Sequence, residues 1–74
     1  MPFIGTPVVV MVAGTPFGSL VSLRNNTGSQ RRITVNGRRI LMDGNASAGT
    51  VVEASPAEVV VFDGDEQIWP RLAE

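Results

Sequence analysis

Seventy-four residues make one domain, and a chain with no Cys, no His and a net charge of −1 has no disulfide, no ordinary zinc or transition-metal ligand set, and no general pull towards nucleic acid or membranes. A domain this small buries only about 60% of the surface its unfolded form exposes, and a lone core below roughly 70–80 residues rarely supplies more than about 3–5 kcal/mol. Very good packing or partner chains must make up the difference, and partner chains are the expectation.

The apolar run Val8 to Ala13 is far too short to span a bilayer. No basic leader precedes it and Pro2 and Pro7 interrupt the segment, so it does not read as a secretory signal; the expectation is a protein made in a cytoplasm, with no membrane partner. Asn25-Asn26-Thr27 and Asn45-Ala46-Ser47 fit the glycosylation pattern, and in such a chain they read as chance.

Short runs of Val, Ile, Thr and Phe punctuated by Gly, Pro, Asn and Asp predict six or seven strands. The N-terminal residues 1–5, with Phe3 and Ile4, form an apolar arm. The first strand covers Pro7 to Val12, and its run of Val predicts burial on both faces. The second covers Phe17 to Arg24 and ends at the loop Asn25-Asn26-Thr27-Gly28-Ser29. Arg31 to Val35 and Arg38 to Met42 flank Asn36-Gly37, the strongest short hairpin signal, because a type I′ turn needs positive φ at both positions. A loop over Asp43 to Gly49 leads to a strand at Thr50 to Glu53, and Ser55 to Glu58 can form a single helical turn. Glu58 to Phe62 and Glu66 to Trp69 flank Asp63-Gly64, a second hairpin signal. Pro70 ends the last strand and begins a C-terminal tail, 70–74. Gly5-Thr6-Pro7 and Gly14-Thr15-Pro16 echo each other as turn chemistry, too few copies for a repeat architecture. The fold class is all-β, a small antiparallel sandwich or barrel filling 1–74 as a single domain.

Catalytic chemistry is poorly provided for. The chain lacks His, Cys and Lys, which removes the usual neutral-pH acid–base residue and two nucleophiles. Asp63, Asp65 and Glu66 cluster at a hairpin tip that offers no pocket, and they match no calcium-loop spacing; turn formation is the plainer reading, as it is for Asp43 and Asn45. The glycines match no phosphate-binding motif. No catalytic residue, metal site or cofactor is expected.

The hairpin at Asn36-Gly37 carries the most charge. Its alternation puts Ile33, Val35, Ile40 and Met42 on one face, the buried one, and Arg32, Thr34, Arg39 and Leu41 on the other. The tip of the hairpin carries concentrated positive charge, from Arg31, Arg32, Arg38 and Arg39, and arginine forks onto carboxylates and phosphates. Three readings compete: a solvated face with local ion pairs, docking onto an acidic protein surface, or nucleic-acid contact. The last calls for aromatic residues among the arginines, and in the sequence Phe3, Phe17, Phe62 and Trp69 all lie elsewhere. Phe3, Ile4 and Trp69 near the ends either cap the domain's own core or anchor a neighbouring subunit.

In size and texture the chain resembles the small β-rich proteins of phage virions that decorate or cement a capsid or join head and tail parts. The likeness lies in its start at Met1, its short Val-rich strands, its Gly-Thr-Pro and Asn-Gly turns and its lack of Cys. The resemblance implies a non-enzymatic structural protein of the virion that stabilises a symmetric assembly, with a capsid or shell protein and copies of itself, often a trimer, as partners. Its interface would use Phe3, Ile4, Arg31, Arg32, Arg38, Arg39 and Trp69. The alternative is a small nucleic-acid-binding barrel using the Arg31–Arg39 hairpin.

Overall fold

The computed structural model describes residues 8–70, so the arm with Phe3 and Ile4, and the tail beyond Pro70, lie outside the described residues. Seven strands follow in chain order: β1 (Val8–Thr15), β2 (Gly18–Asn25), β3 (Arg31–Val35), β4 (Arg38–Met42), β5 (Ser47–Val52), β6 (Val61–Asp63) and β7 (Glu66–Trp69). They form two antiparallel sheets, a three-stranded one in the order β1-β2-β5 and a four-stranded one in the order β4-β3-β6-β7. The architecture is a sandwich whose sheets are separate within one chain. Among the described residues no helix is long and apolar enough to cross a membrane.

Both sheets contribute to one core: Val8, Val21, Leu23 and Val52 from the first, Ile33, Val35, Met42 and Val61 from the second, and Val59 from the segment between. Burying a side chain of this kind stabilises the fold by about 1.5–3 kcal/mol. The Asn36-Gly37 hairpin forms as its turn chemistry requires, with φ of 46° and 85° and the register Val35↔Arg38, Thr34↔Arg39, Ile33↔Ile40. Ser55 to Glu58 does turn, as one 3₁₀ turn over Pro56–Glu58, with the Ser55 N–H donating to the Glu58 carboxylate (3.4 Å).

Several boundaries and faces differ from expectation: β1 runs on to Thr15, β6 begins at Val61 rather than Glu58, and three further differences bear on the surfaces. β1 is buried on one face only: Val8 is buried, but Val9 and Met11 point out, because the outer side of its sheet carries no covering layer among the described residues. β5 starts at Ser47, inside the stretch read as loop, because Ser47, Ala48 and Gly49 pair with Arg24, Leu23 and Ser22. The tight turn after β6 is Gly64-Asp65, with Gly64 at φ 63°, and Asp63 belongs to the ladder opposite Glu66.

The inward row of the central strand β2 reads Ser19, Val21, Leu23, Asn25, apolar in the middle and polar at both ends. Those ends tie down the crossings between sheets. Buried Ser19 donates its Oγ–H to the Ala54 carbonyl (2.6 Å). Buried Asn25 shares its Nδ2 protons among the carbonyls of Ser29 (2.8 Å), Met42 (3.1 Å) and Asp43 (2.9 Å). Its Oδ1 accepts from the Thr27 N–H (3.0 Å) and Oγ1–H (2.7 Å). Both connections at that end, 26–30 and 43–46, therefore rest on one amide. Its Nδ2, where a glycan would attach, is fully engaged.

Candidate interaction surfaces

The outer face of the three-stranded sheet is a lattice set by alternation and register. Across β1, β2 and β5 one row holds Val9, Arg24 and Ser47, the next Met11, Ser22 and Gly49, the third Ala13, Leu20 and Val51. Met11 is 67% exposed and Val51 51% exposed, with Leu20 and Val9 also open to solvent. Phe17, at the tip of the β1–β2 hairpin, is 82% exposed. The single charge among these lattice positions is Arg24. Its Nε donates to Asn26 Oδ1 (2.9 Å) and its Nη1 to Ser47 Oγ (3.4 Å), so the guanidinium is held sideways along the sheet end. Small residues in the middle row leave a shallow trough of about 590 Å³, bordered by Val9, Met11, Leu20, Ser22, Arg24 and Gly49. These exposed apolar residues adjoin one another rather than lying scattered singly.

The outer face of the four-stranded sheet is different in character. Arg32 and Leu41 oppose each other across β3 and β4, as do Thr34 and Arg39. On the other side of β3, Thr34 opposes Phe62, and Phe62 opposes Gln67 across a bulge. Phe62 therefore sits on the same face as Arg32 and Arg39, which sequence distance had concealed. A shallow groove of about 550 Å³ runs between Arg32, Thr34, Arg39, Leu41 and Asp65.

The four hairpin arginines are divided by this geometry. Arg32 and Arg39 point outward, whereas Arg31 and Arg38 lie opposite Met42 and Val35 on the inward side. Arg31 pairs with Asp63 (3.6 Å), whose side chain is only 6% exposed, and Arg38 donates to Thr50 Oγ1 (3.2 Å), bridging β4 to β5. Two of the four thus serve the domain's own closure, and the expected single cluster is a pair. Asp63 is thus engaged with Arg31, and among the described residues no three His, Cys, Asp or Glu side chains gather as a metal-holding group. Trp69 is opposite Val61 and packs, partly buried, against the core.

A depression of about 710 Å³ is an open cleft at one end, between the β1–β2 tip and the 3₁₀ turn, and its lining includes Thr15, Phe17, Glu53, Ser55 and Glu58. Glu58 is engaged with the Ser55 N–H. Comparison with protein-family models, curated proteins and solved structures found no match to the chain.

Proposed function

We propose that this protein is a non-enzymatic structural subunit that stabilises a larger symmetric protein assembly, in its most specific form a capsid decoration or cement protein of a virion. The observation that supports it is the outer face of the three-stranded sheet, where Val9, Met11, Leu20 and Val51 form one apolar, almost uncharged surface beside an exposed Phe17. A core drawn from short strands gives the domain reason to gain further burial from a neighbour. The general resemblance to phage decoration proteins supplies the finer form. The test is density-gradient fractionation of the native source. The protein is expected in particle fractions far heavier than 7.9 kDa; recovery only at the top of the gradient overturns the reading.

A second reading has one specific observation in its favour. Phe62 stands on an antiparallel sheet face with Arg32 and Arg39, the combination of stacking platform and phosphate-binding cations that single-stranded nucleic acid uses. Under this reading a short single-stranded oligonucleotide binds with an affinity that falls steeply with salt. The double variant Arg32→Glu, Arg39→Glu then loses at least tenfold in affinity by fluorescence anisotropy. An absence of wild-type binding at low salt eliminates the reading.

A further inference from the structure

We propose that two copies of this chain pair through the outer faces of their three-stranded sheets, about a two-fold axis running along β2, with Met11 of each copy seated over Gly49 and Ser22 of the other. The proposal deepens the assembly reading and rests on it.

The lattice of the face makes it self-complementary under this operation. A two-fold axis along the central strand lays β1 of one copy over β5 of the other and leaves each row on itself. In the middle row the protruding Met11 meets Gly49, and the two Ser22 residues meet at the axis. In the third row small Ala13 meets larger Val51, and Leu20 meets Leu20. In the first row Val9 meets Ser47, beside which the Arg24 guanidinium lies. Large thus meets small at the flanking positions of the second and third rows, as an isologous interface requires. The strands of the two sheets run in the same direction, within the aligned class of sheet packing. Arg24 is the one like-charge encounter. It lies in an end row at the rim, held along the sheet by Asn26 and Ser47, so the charge stays in water.

The size of the face sets the strength. At about 4.8 Å between strands and about 3.4 Å per residue, three strands of eight, eight and six residues cover roughly 360 Å² of plane per copy. That lies in the range of the largest apolar patch on a typical monomer; both copies together fall short of the roughly 1,000 Å² of a stable specific interface, so the pairing is a weak one. A second copy covers the whole face at once, and the resulting dimer is concentration-dependent, with a midpoint on the order of micromolar to hundreds of micromolar.

Gly49 provides the decisive variant. A Cβ built there meets only Leu20 Cδ1 and Val21 O, both at 3.9 Å, and its φ is not left-handed, so a larger residue fits the monomer but fills the hollow that the other copy's Met11 needs. Sedimentation equilibrium of the full chain from about 10 μM to 1 mM is expected to move from 7.9 kDa towards twice that mass. Gly49→Val should weaken association at least tenfold while keeping the circular dichroism and melting temperature of dilute wild type. Met11→Ala with Gly49→Met, which moves the knob to the facing strand, should restore it. A wild-type mass that stays at one copy throughout, growth to a trimer, or a Gly49→Val protein that pairs as wild type does would overturn the proposal. A strict monomer that still travels with heavy particles overturns the pairing and leaves the assembly reading standing. A Gly49-sensitive dimer absent from any particle does the reverse.

Discussion

Asn25→Asp is expected to destabilise the domain by about 3 kcal/mol or more at neutral pH. The wild-type side chain is fully buried and donates towards three carbonyl oxygens at 2.8–3.1 Å. A carboxylate there faces those oxygens with no proton to offer, and an unpaired buried charge costs several kcal/mol. A domain of this length has a total stability of roughly 4–11 kcal/mol, so the loss is a large share of it. The pH dependence gives the mechanism away. Carbonyl neighbours and burial favour the protonated acid, so the introduced group titrates higher in the folded state than its unfolded value near 3.9. The penalty is therefore small below about pH 4 and grows as pH rises through the folded-state value. Urea denaturation at several pH values reads this directly: the gap between variant and wild type should widen from pH 4 to pH 7. A constant gap would mean that Asn25 acts through packing alone. Amide exchange should accelerate first in 26–30 and 43–46, the two connections that the amide holds.

Asn25 is also where sequence reading fails most instructively. Asn followed by Asn, Thr and Gly is a loop signal, and the local signal is sound: the loop begins at the next residue. The partners that make Asn25 a hub, Met42 and Asp43, arrive from 17 and 18 positions away, and nothing in a local window announces them. The Asn36-Gly37 hairpin is the opposite case. Positive φ at two successive residues has a narrow chemical signature, and period-two alternation then assigns the faces of Arg31 to Met42 without tertiary information. That same alternation separates Arg32 and Arg39 from Arg31 and Arg38; reading the four as a single cluster weighted adjacency in sequence over direction in space.

The candidate surfaces were legible only in part for a related reason. A run such as Val8-Val9-Val10-Met11-Val12 states that a strand is apolar, not how many of its faces are covered by the same chain. Burial on both faces and burial on one face with a second face left for a neighbour look alike in sequence. The stacking of layers decides between them: the inward row of β1 joins the core shared with the four-stranded sheet, and among the described residues nothing covers the outward row. Phe62 joins Arg32 and Arg39 through the β3–β6 pairing, a non-local contact that turn signals do not specify. Small residues mislead in the other direction. Ser47, Ala48 and Gly49 have low strand propensity, yet they pair because β2 offers an adjacent ladder, and their smallness shapes the trough on the outer face.

Gly18→Ala is expected to be at least as damaging as the change at Asn25, at more than about 3 kcal/mol, for reasons of backbone and space together. Gly18 has φ 142°, a region open in practice only to glycine. A Cβ on it would lie 2.0 Å from the Val52 carbonyl oxygen and 3.0 Å from the Glu53 Cα, both backbone atoms that cannot rotate away. Relief requires the end of β5 to move off β2, and the next pair in that ladder is Ser19↔Val52, beside the Ser19 bond to Ala54. The strain therefore spreads into the crossing that leads to the 3₁₀ turn and Val59. Two other glycines calibrate the effect. Gly37, with φ 85° and open space around it, should lose only about 1–2 kcal/mol as alanine, the cost of the left-handed backbone alone. Gly49, with ordinary backbone and ordinary contact distances, should lose nothing and can gain a few tenths of a kcal/mol from lower unfolded-state entropy. Thermal and urea unfolding of the three alanine variants should rank Gly18 far below Gly37, and Gly37 below Gly49. A Gly18→Ala protein that melts with wild type would require β5 to leave β2 at Val52 without loss, and would remove the close approach on which the β2–β5 end of the sandwich is built.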